Sequence, residues 1–410
     1  MTASVVIVSY RPGEWLAASI RSALVQADQV VVVDNGSEGA TASAISRDLG
    51  AEVVRSAGNL GFAGGVELGL GRARGEVIGI LNDDAEAGEG WLARATAVLA
   101  DPTVAAVTPK VVLADAFAEV TMPDDEWFAP GDRRPLGRML RSVTAGGTEM
   151  LARLVGAGVH ELEWSSAGDD PDDHWRWTAG RRPFYVPLPD DDADAEIRVN
   201  GEPVTPDAKC RILNHAGSYL ERHGVAGEYG LGAPDDGRFD DAAERFGFSG
   251  TAPVFRAETL GRVGAFAVPF FAYDEDTDWC LRARLAGLRI LYEPGATVTH
   301  RWSATSGGSA SARVRFLQQR NSLFCLVRNA PAGLAAGHLW SLARKGSGPG
   351  VRRAVAARLP WALATRARLH RTWVTTPADV WDRWAGADRT WDDGPARVEG
   401  RGVQAGTVSR

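Results

Sequence analysis

Val77-Ile78-Gly79-Ile80-Leu81-Asn82-Asp83-Asp84 is an aliphatic run that ends abruptly in an amide and two carboxylates. A run this short and this apolar reads as a strand buried on both faces of a sheet. Four comparable runs recur around Val5 to Val8, Val30 to Val33, Glu52 to Val54 and Val104 to Val107. Between them, Trp15, Ile20 and Leu24, and then Phe62, Val66 and Leu70, stand at helical spacing. Such alternation predicts right-handed βαβ units on a mostly parallel, doubly wound, Rossmann-like α/β sheet.

Composition agrees with a globular chain: 410 residues, 45% hydrophobic and 24% charged, which is long enough for two domains or one elaborated one. No aliphatic run approaches the roughly 20 apolar residues that span a bilayer. Arg11 follows Val5-Val6-Ile7-Val8 within three residues and no Lys or Arg precedes that run, so no signal peptide is expected and the chain reads as cytoplasmic. Cys210, Cys280 and Cys325 are far apart and in no C-x-x-C spacing, which predicts idle thiols rather than disulfides or a zinc knuckle.

Past residue 120 the pattern changes. Residues 121–208 are rich in Pro, Gly, Asp and Trp, with acidic runs at Asp169 to Asp173 and Asp190 to Asp192 and extended candidates at Arg182 to Leu188 and Glu196 to Val199. This reads as an acidic, strand-containing insertion between a first half, 1–120, and a second half, 209–330. That second half predicts a strand at Ala252 to Arg256, a Phe270 to Tyr273 run, a helix near Thr277 to Ala286 closed by Gly287, and strands at Arg289 to Tyr292 and Ala296 to His300. Residues 331–390 read as basic helices interrupted at Gly346 to Gly350 and at Pro360, and 391–410 as a flexible tail.

Ligands of open α/β sheets bind outside the carboxyl ends of the strands. Those ends are polar here: Ser9-Tyr10-Arg11, Asp34-Asn35-Gly36-Ser37, Asn59-Leu60-Gly61-Phe62 and Asn82-Asp83-Asp84. Asp34 to Ser37 alone describes a tight turn. Neither Gly61 to Gly65 nor Gly69-Leu70-Gly71 has the G-x-G-x-x-G pattern after the first strand, which disfavours a nicotinamide dehydrogenase. Asn82, Asp83 and Asp84 offer hard oxygen ligands to Mg²⁺ or Mn²⁺, although a polar turn has the same composition. Asp274-Glu275-Asp276-Thr277-Asp278-Trp279 sets four carboxylates at a helix start. Capping explains any one of them, while four beside Phe270, Phe271 and Tyr273 suit a general base.

In order and spacing, Val5 to Tyr10, Val33 to Ser37, Asn59 to Gly65, Leu81 to Asp84, Gly250 with Arg256, Tyr273 to Trp279 and Val298-Thr299-His300 resemble family 2 glycosyltransferases of the GT-A fold. The resemblance spans roughly residues 3 to 112 and 209 to 330 and is nearest the bacterial rhamnosyl- and galactofuranosyltransferase branch. It implies an inverting, metal-dependent transfer from a nucleotide-diphosphate sugar, dTDP- or UDP-linked with dTDP-rhamnose favoured, to a cell-envelope glycan or lipid-linked acceptor. Carried over by position, it puts Asp34 on a pyrimidine base, with Ser9, Tyr10, Arg11, Asn59, Gly61 and Asp83 around the donor. Asp84, His300 and Asn82 fall on the metal, Asp276 is the catalytic base, and Glu275, Asp278 and Trp279 face the acceptor. Asn82 departs from the relatives that carry an Asp there. A sugar-nucleotide-forming nucleotidyltransferase is the enzymatic alternative, without a Gly-rich triphosphate loop to support it. A non-catalytic sugar-binding or scaffold protein is the other alternative, and it would leave the carboxylates as turn and cap residues.

Pro294 to Ala378 holds thirteen Arg or Lys and no Asp or Glu, interleaved with Trp340, Trp361 and Trp373. This pattern predicts peripheral contact with the anionic inner face of a membrane, or else pairing with the chain's own acidic surface. No nucleic acid is expected, since no aromatic-and-basic recognition motif accompanies the charge.

Overall fold

The computed structural model describes residues 1–129, 134–160, 162–164, 174–189, 194–301, 312–345 and 349–386. The acidic runs Asp169 to Asp173 and Asp190 to Asp192 and the expected tail at 391–410 lie outside the described residues. The chain divides into two compact units. One comprises Met1–Val112, His215–Tyr229 and the described residues from Gly237 onward. The other lies in Leu113–Asn214 and Gly230–Asp236.

In the first unit, β1 (Ala3–Ser9), β2 (Gln29–Asp34), β3 (Glu52–Arg55) and β4 (Val77–Asn82) form a parallel block in the order β3-β2-β1-β4. All seven residues of β1 are buried, because helices cover both faces. Helices α1 (Leu16–Leu24), α2 (Thr41–Asp48) and α3 (Gly61–Leu70) make the crossovers. Two glycines of α3 serve packing: a Cβ at Gly65 would come within 2.4 Å of Val8, and one at Gly69 within 2.3 Å of Val6. The helix axis therefore lies unusually close to β1.

After β4 come β5 (Ala85–Ala87), α4 (Trp91–Val98) and β6 (Val104–Leu113). The sheet is less uniformly parallel than the alternation predicts. Two further strands, β7 (Ala243–Glu244) and β8 (Val254–Arg256), join it, and β8 inserts between β4 and β6 antiparallel to both. A final strand, β9 (Arg289–His300), lies beside β6 and pairs antiparallel with β5 and β7. The two strands expected at 289–292 and 296–300 are one. Ile290, Tyr292, Ala296, Val298 and His300 all face inward, so Pro294-Gly295 passes without shifting the two-residue phase.

Helices α5 (Ala257–Val263) and α6 (Glu275–Leu285) follow β8, and α7 (Ala312–Asn329), α8 (Ala332–Lys345), α9 (Pro349–Leu369) and α10 (Pro377–Trp384) close the unit. Pro360 does not interrupt α9. It lies on the exposed side, as does Ala356, whose carbonyl it cannot bond, while Val355 and Ala362 are buried. No described helix is long and apolar enough to cross a membrane.

The second unit is built of short antiparallel strands. Phe184–Pro187 and Ala208–Cys210 flank Phe117–Val120, and Ile197–Val199 pairs with Glu202–Val204 and Val143–Ala145. Its own core is formed by Val120, Leu140, Val143, Leu151, Phe184 and Val199.

Candidate active site

β4 ends at Asn82, whose N–H donates to Thr251 O at 3.0 Å and whose carbonyl accepts from Ser19 Oγ at 2.9 Å. The chain then turns through Asp83 and Asp84 into β5, whose Ala85 pairs with His300 of β9. Arg301 N–H donates to Asp84 O at 3.0 Å. These backbone bonds bring together two residues 216 positions apart: His300 Nε2 lies 3.1 Å from Asp84 Oδ1. Each is 6% exposed. Burial pushes the Asp83 carboxyl up to about 7, and the charge of Asp84 adds to the rise, while His300 opposes it.

The Asp84 carboxylate, the His300 imidazole at the end of β9 and the Asn82 amide are donor types suited to Mn²⁺ or Mg²⁺, ions that usually complete their shells with water and substrate phosphate. Among the described residues no group of three or more His, Cys, Asp or Glu surrounds a single point. Asp84 and His300 fit a metal only as part of a set that substrate oxygens complete.

The second carboxylate group sits at a corner. Val268–Phe270 form one 3₁₀ turn, and then Phe271, Tyr273 and Asp274 take φ of 70°, 71° and 63°. Three non-glycine residues in the left-handed region cost about 1–3 kcal/mol each and persist only where the surroundings over-determine them. The determinant is Asn321 of α7, fully buried, whose Nδ2 lies 3.0, 2.8 and 2.7 Å from the carbonyl oxygens of Phe270, Ala272 and Tyr273. Arg320 adds a bond of 2.6 Å to Phe270 O. On the other side Gly61, at φ 73°, presses against the Phe271 carbonyl so closely that a Cβ would lie 2.2 Å from it.

The corner delivers Asp276 to the first turn of α6. Its Oδ2 accepts from Gly250 N–H at 3.0 Å and its Oδ1 from Thr277 N–H at 2.6 Å. Gly250 precedes Thr251, the residue that holds Asn82, so one short strip of backbone ties Asp276 to the Asn82–Asp84 turn.

Asp278 and Trp279, expected to face an acceptor, are instead fully buried. Asp278 accepts from Arg328 Nε at 2.7 Å, Arg282 Nε at 2.9 Å and Asn329 Nδ2 at 2.7 Å. Burial by itself would raise its carboxyl, but the guanidiniums of Arg328 and Arg282 and these hydrogen bonds outweigh it and hold the group below its ordinary value. Trp279 packs on Phe248 and Phe255, with Nε1 donating to Gly264 O at 2.8 Å. Glu275 is also buried, at 5% exposed.

Asp34 needs a similar correction. Its carboxylate is wholly buried and already accepts from Ser37 N–H at 2.8 Å and from Ser43 Oγ at 2.5 Å. Burial raises this group while the Ser43 and Ser37 bonds and Arg55 lower it further, so it stays below its ordinary value. It organises the β2 turn and presents no open acceptor to a base. Next to it, Asn35 Nδ2 donates to Gly61 O at 3.0 Å and its Oδ1 accepts from Leu60 N–H at 2.9 Å, joining the second and third strand-end loops. Asn59 Oδ1 accepts from Gly61 N–H at 2.8 Å. Tyr10 remains 40% exposed at the end of β1, with the Arg11 guanidinium 5.5 Å from its ring centroid.

Sequence reasoning missed Asn321 and His215, and gave Asn35 no part beyond a tight turn. Asn321, Arg328 and Asn329 are polar residues on the buried side of α7, a helical-period signal that was legible. His215 carried no such signal. Burial pushes its imidazole down to about 3 and nearby His300 adds to the fall, so it is neutral, and Nδ1 accepts from Gly217 N–H at 3.4 Å.

Residues 4–149 match the family model described as Glycosyl transferase family 2. The mixed sheet, with its parallel block, antiparallel β8 and acidic turn after β4, is GT-A-like. Similar solved structures include GalNAc-T7 with UDP, GalNAc and Mn²⁺, at 13% identity and TM-score 0.49, covering 90% of this chain and 57% of that one. The chain thus spans less than two thirds of that protein's length. Others are the mannosyltransferase PcManGT from Pyrobaculum calidifontis with GDP-Man and Mn²⁺, at 16% identity, TM-score 0.41 and 93% and 87% coverage, and S. aureus TarS 1–349, at 12%, 0.39 and 91% of each chain. No curated protein matches the chain.

Proposed function

We propose that the protein is a glycosyltransferase that moves a sugar from a nucleotide-diphosphate donor to an acceptor hydroxyl with inversion at the anomeric carbon. The observation that carries this reading is the single backbone strip, Gly250 to Thr251, that holds Asp276 on one side and the Asn82–Asp84 turn on the other. An anchored carboxylate beside a turn of phosphate-metal ligands is what a one-step displacement requires.

Asp276 takes the proton from the acceptor hydroxyl as that oxygen attacks the anomeric carbon and the bond to the diphosphate breaks. The Gly250 N–H on Oδ2 and the Thr277 N–H on Oδ1 fix the direction of this carboxylate. Asp84 and His300, with Asn82, would hold a divalent metal, Mg²⁺ or Mn²⁺, which supplies charge to offset that of the departing diphosphate. Ser9, Tyr10, Arg11, Asn59 and Gly61 edge the donor side, with Asp34 acting through the shape of its turn. The sequence resemblance supports a dTDP- or UDP-linked donor, dTDP-rhamnose before UDP-galactofuranose, and a cell-envelope or lipid-linked acceptor. The exposed Arg344, Arg352, Arg353, Arg368 and Arg371 and the 64% exposed Trp340 support peripheral contact with an anionic membrane.

Incubation with Mn²⁺ or Mg²⁺ and a panel of nucleotide sugars tests the reading through nucleoside diphosphate release. Release from a dTDP- or UDP-sugar that stops in EDTA is expected. Release of no nucleotide from any donor overturns it, and a purine donor preferred to all pyrimidine ones overturns the donor assignment.

A further inference from the structure

Arg313 and Arg320 of α7 and Arg358 of α9 meet at a cavity of about 630 Å³. The remaining wall is apolar, with Leu60, Val268, Phe271 and Phe316 part of it, and among the described residues no acidic one lines it. Three cations gathered on one concave apolar surface repel each other, and burial with the charge of Arg358 lowers the Arg320 guanidinium from its ordinary value. Arg320 is fixed in place, 9% exposed, by Phe270 O and by Asn321 Oδ1 at 2.9 Å. Arg313 stands 5.2 Å from the Phe271 ring centroid. Among the described residues neither Arg313 nor Arg358 meets a carboxylate, while Leu60 and Val268 leave 40% and 47% of their surface uncovered.

A bare anion has no use for the apolar wall, and a bare hydrocarbon has no use for the guanidiniums. We propose that this cavity binds the phosphate or diphosphate of a hydrocarbon-tailed acceptor, with the arginines on the phosphate oxygens and the first carbons of the tail along Leu60, Val268 and Phe316. Phe271, on the cavity wall, belongs to the corner that leads into α6 and the proposed base. In that respect the inference rests on the glycosyltransferase reading and names the chemical class of its acceptor.

Calorimetric titration in EDTA, which removes any metal route through Asp84 and His300, tests it with farnesyl diphosphate, inorganic pyrophosphate and farnesol as probes. Wild type is expected to bind farnesyl diphosphate at least about tenfold more tightly than either half-probe, and Arg313→Gln/Arg358→Gln to lose about 10–100-fold of that affinity. Both arginines are exposed, so the melting temperature should hold. Leu60→Asn, which removes apolar wall without adding charge, should weaken farnesyl diphosphate and leave pyrophosphate unchanged. Equal binding of pyrophosphate and farnesyl diphosphate to wild type, or undiminished binding by the double variant, overturns the proposal. Binding of dTDP or UDP with Mn²⁺ is measured separately: its absence, with the farnesyl diphosphate result intact, sinks the glycosyltransferase reading and leaves this site standing.

Discussion

The turn Asn82 to Asp84 and the corner Phe270 to Asp278 both deliver carboxylates to the candidate site, and they are built in opposite ways. Backbone bonds to Thr251 and Arg301 hold the turn, and its carboxylate Asp84 meets a single imidazole, that of His300. The corner is held from α7 by the side chains of Asn321, Arg320 and Arg328, which bond its carbonyls and its buried carboxylate. A turn that follows from the end of a buried strand can leave its side chains available for a ligand. A corner that places three non-glycine residues at positive φ must spend side chains on holding itself, and two carboxylates two residues apart then have different fates.

The largest effect should come from Asp278→Ala. It strands Arg328 and Arg282 without a counter-charge in the core, a change that costs about 3–5 kcal/mol. Chemical denaturation reads this directly, and a loss below 1 kcal/mol would show that the network is not what holds α6 to α7. The same network has a pH signature. Because the folded-state value of Asp278 lies below its unfolded one, its contribution is complete at neutral pH, declines as pH drops past the ordinary carboxylate value of about 3.9, and vanishes below the folded value. Wild type should therefore lose stability more steeply in acid than Asp278→Asn.

Asp276→Asn should lower transfer by about 10²–10⁴-fold while stability and nucleotide binding hold, since the amide can still accept from Gly250. Retention of more than a tenth of the rate removes Asp276 from the base role. Two residues apart, the two variants would separate catalysis from structure.

Asp84→Ala should weaken Mn²⁺-dependent donor binding by at least the roughly 10–100-fold that even outer-shell changes cost, with His300→Ala milder. Neither should alter stability as Asp278→Ala does, and nucleotide affinity that ignores both substitutions and EDTA would exclude the turn as a metal site.

Asn321→Ala is the finest probe, because it unties the corner without touching a carboxylate. Buried carbonyls left without a donor cost about 1–3 kcal/mol, and a looser corner should lower kcat more than it raises the donor KM. A change in donor KM alone would mean that Asn321 serves the nucleotide side.

Much of the local structure was legible because it depends on local periodicity. Continuous aliphatic runs predicted β1, β2, β3, β4 and β6, helical spacing predicted α1 and α3, and Gly287 closed α6 near where expected. In the second unit the strands at Phe184–Pro187 and Ile197–Val199 fall within the expected extended stretches. The identities of Asn82, Asp84, Asp276 and His300 were also visible as polar residues at strand and helix ends. What only the tertiary structure decided is which of them face outward. Asp34 and Asp278 carry the same side chain as Asp84 and Asp276, but Ser43, Arg328 and Arg282 lie 9, 50 and 4 residues from them and consume their carboxylates. The same is true of Phe271, Tyr273 and Asp274, whose positive φ is imposed by Asn321 some fifty positions later. Periodicity along the chain reports how a segment meets the core as a whole, whereas the availability of a carboxylate depends on which distant donors the packing brings within 3 Å of it.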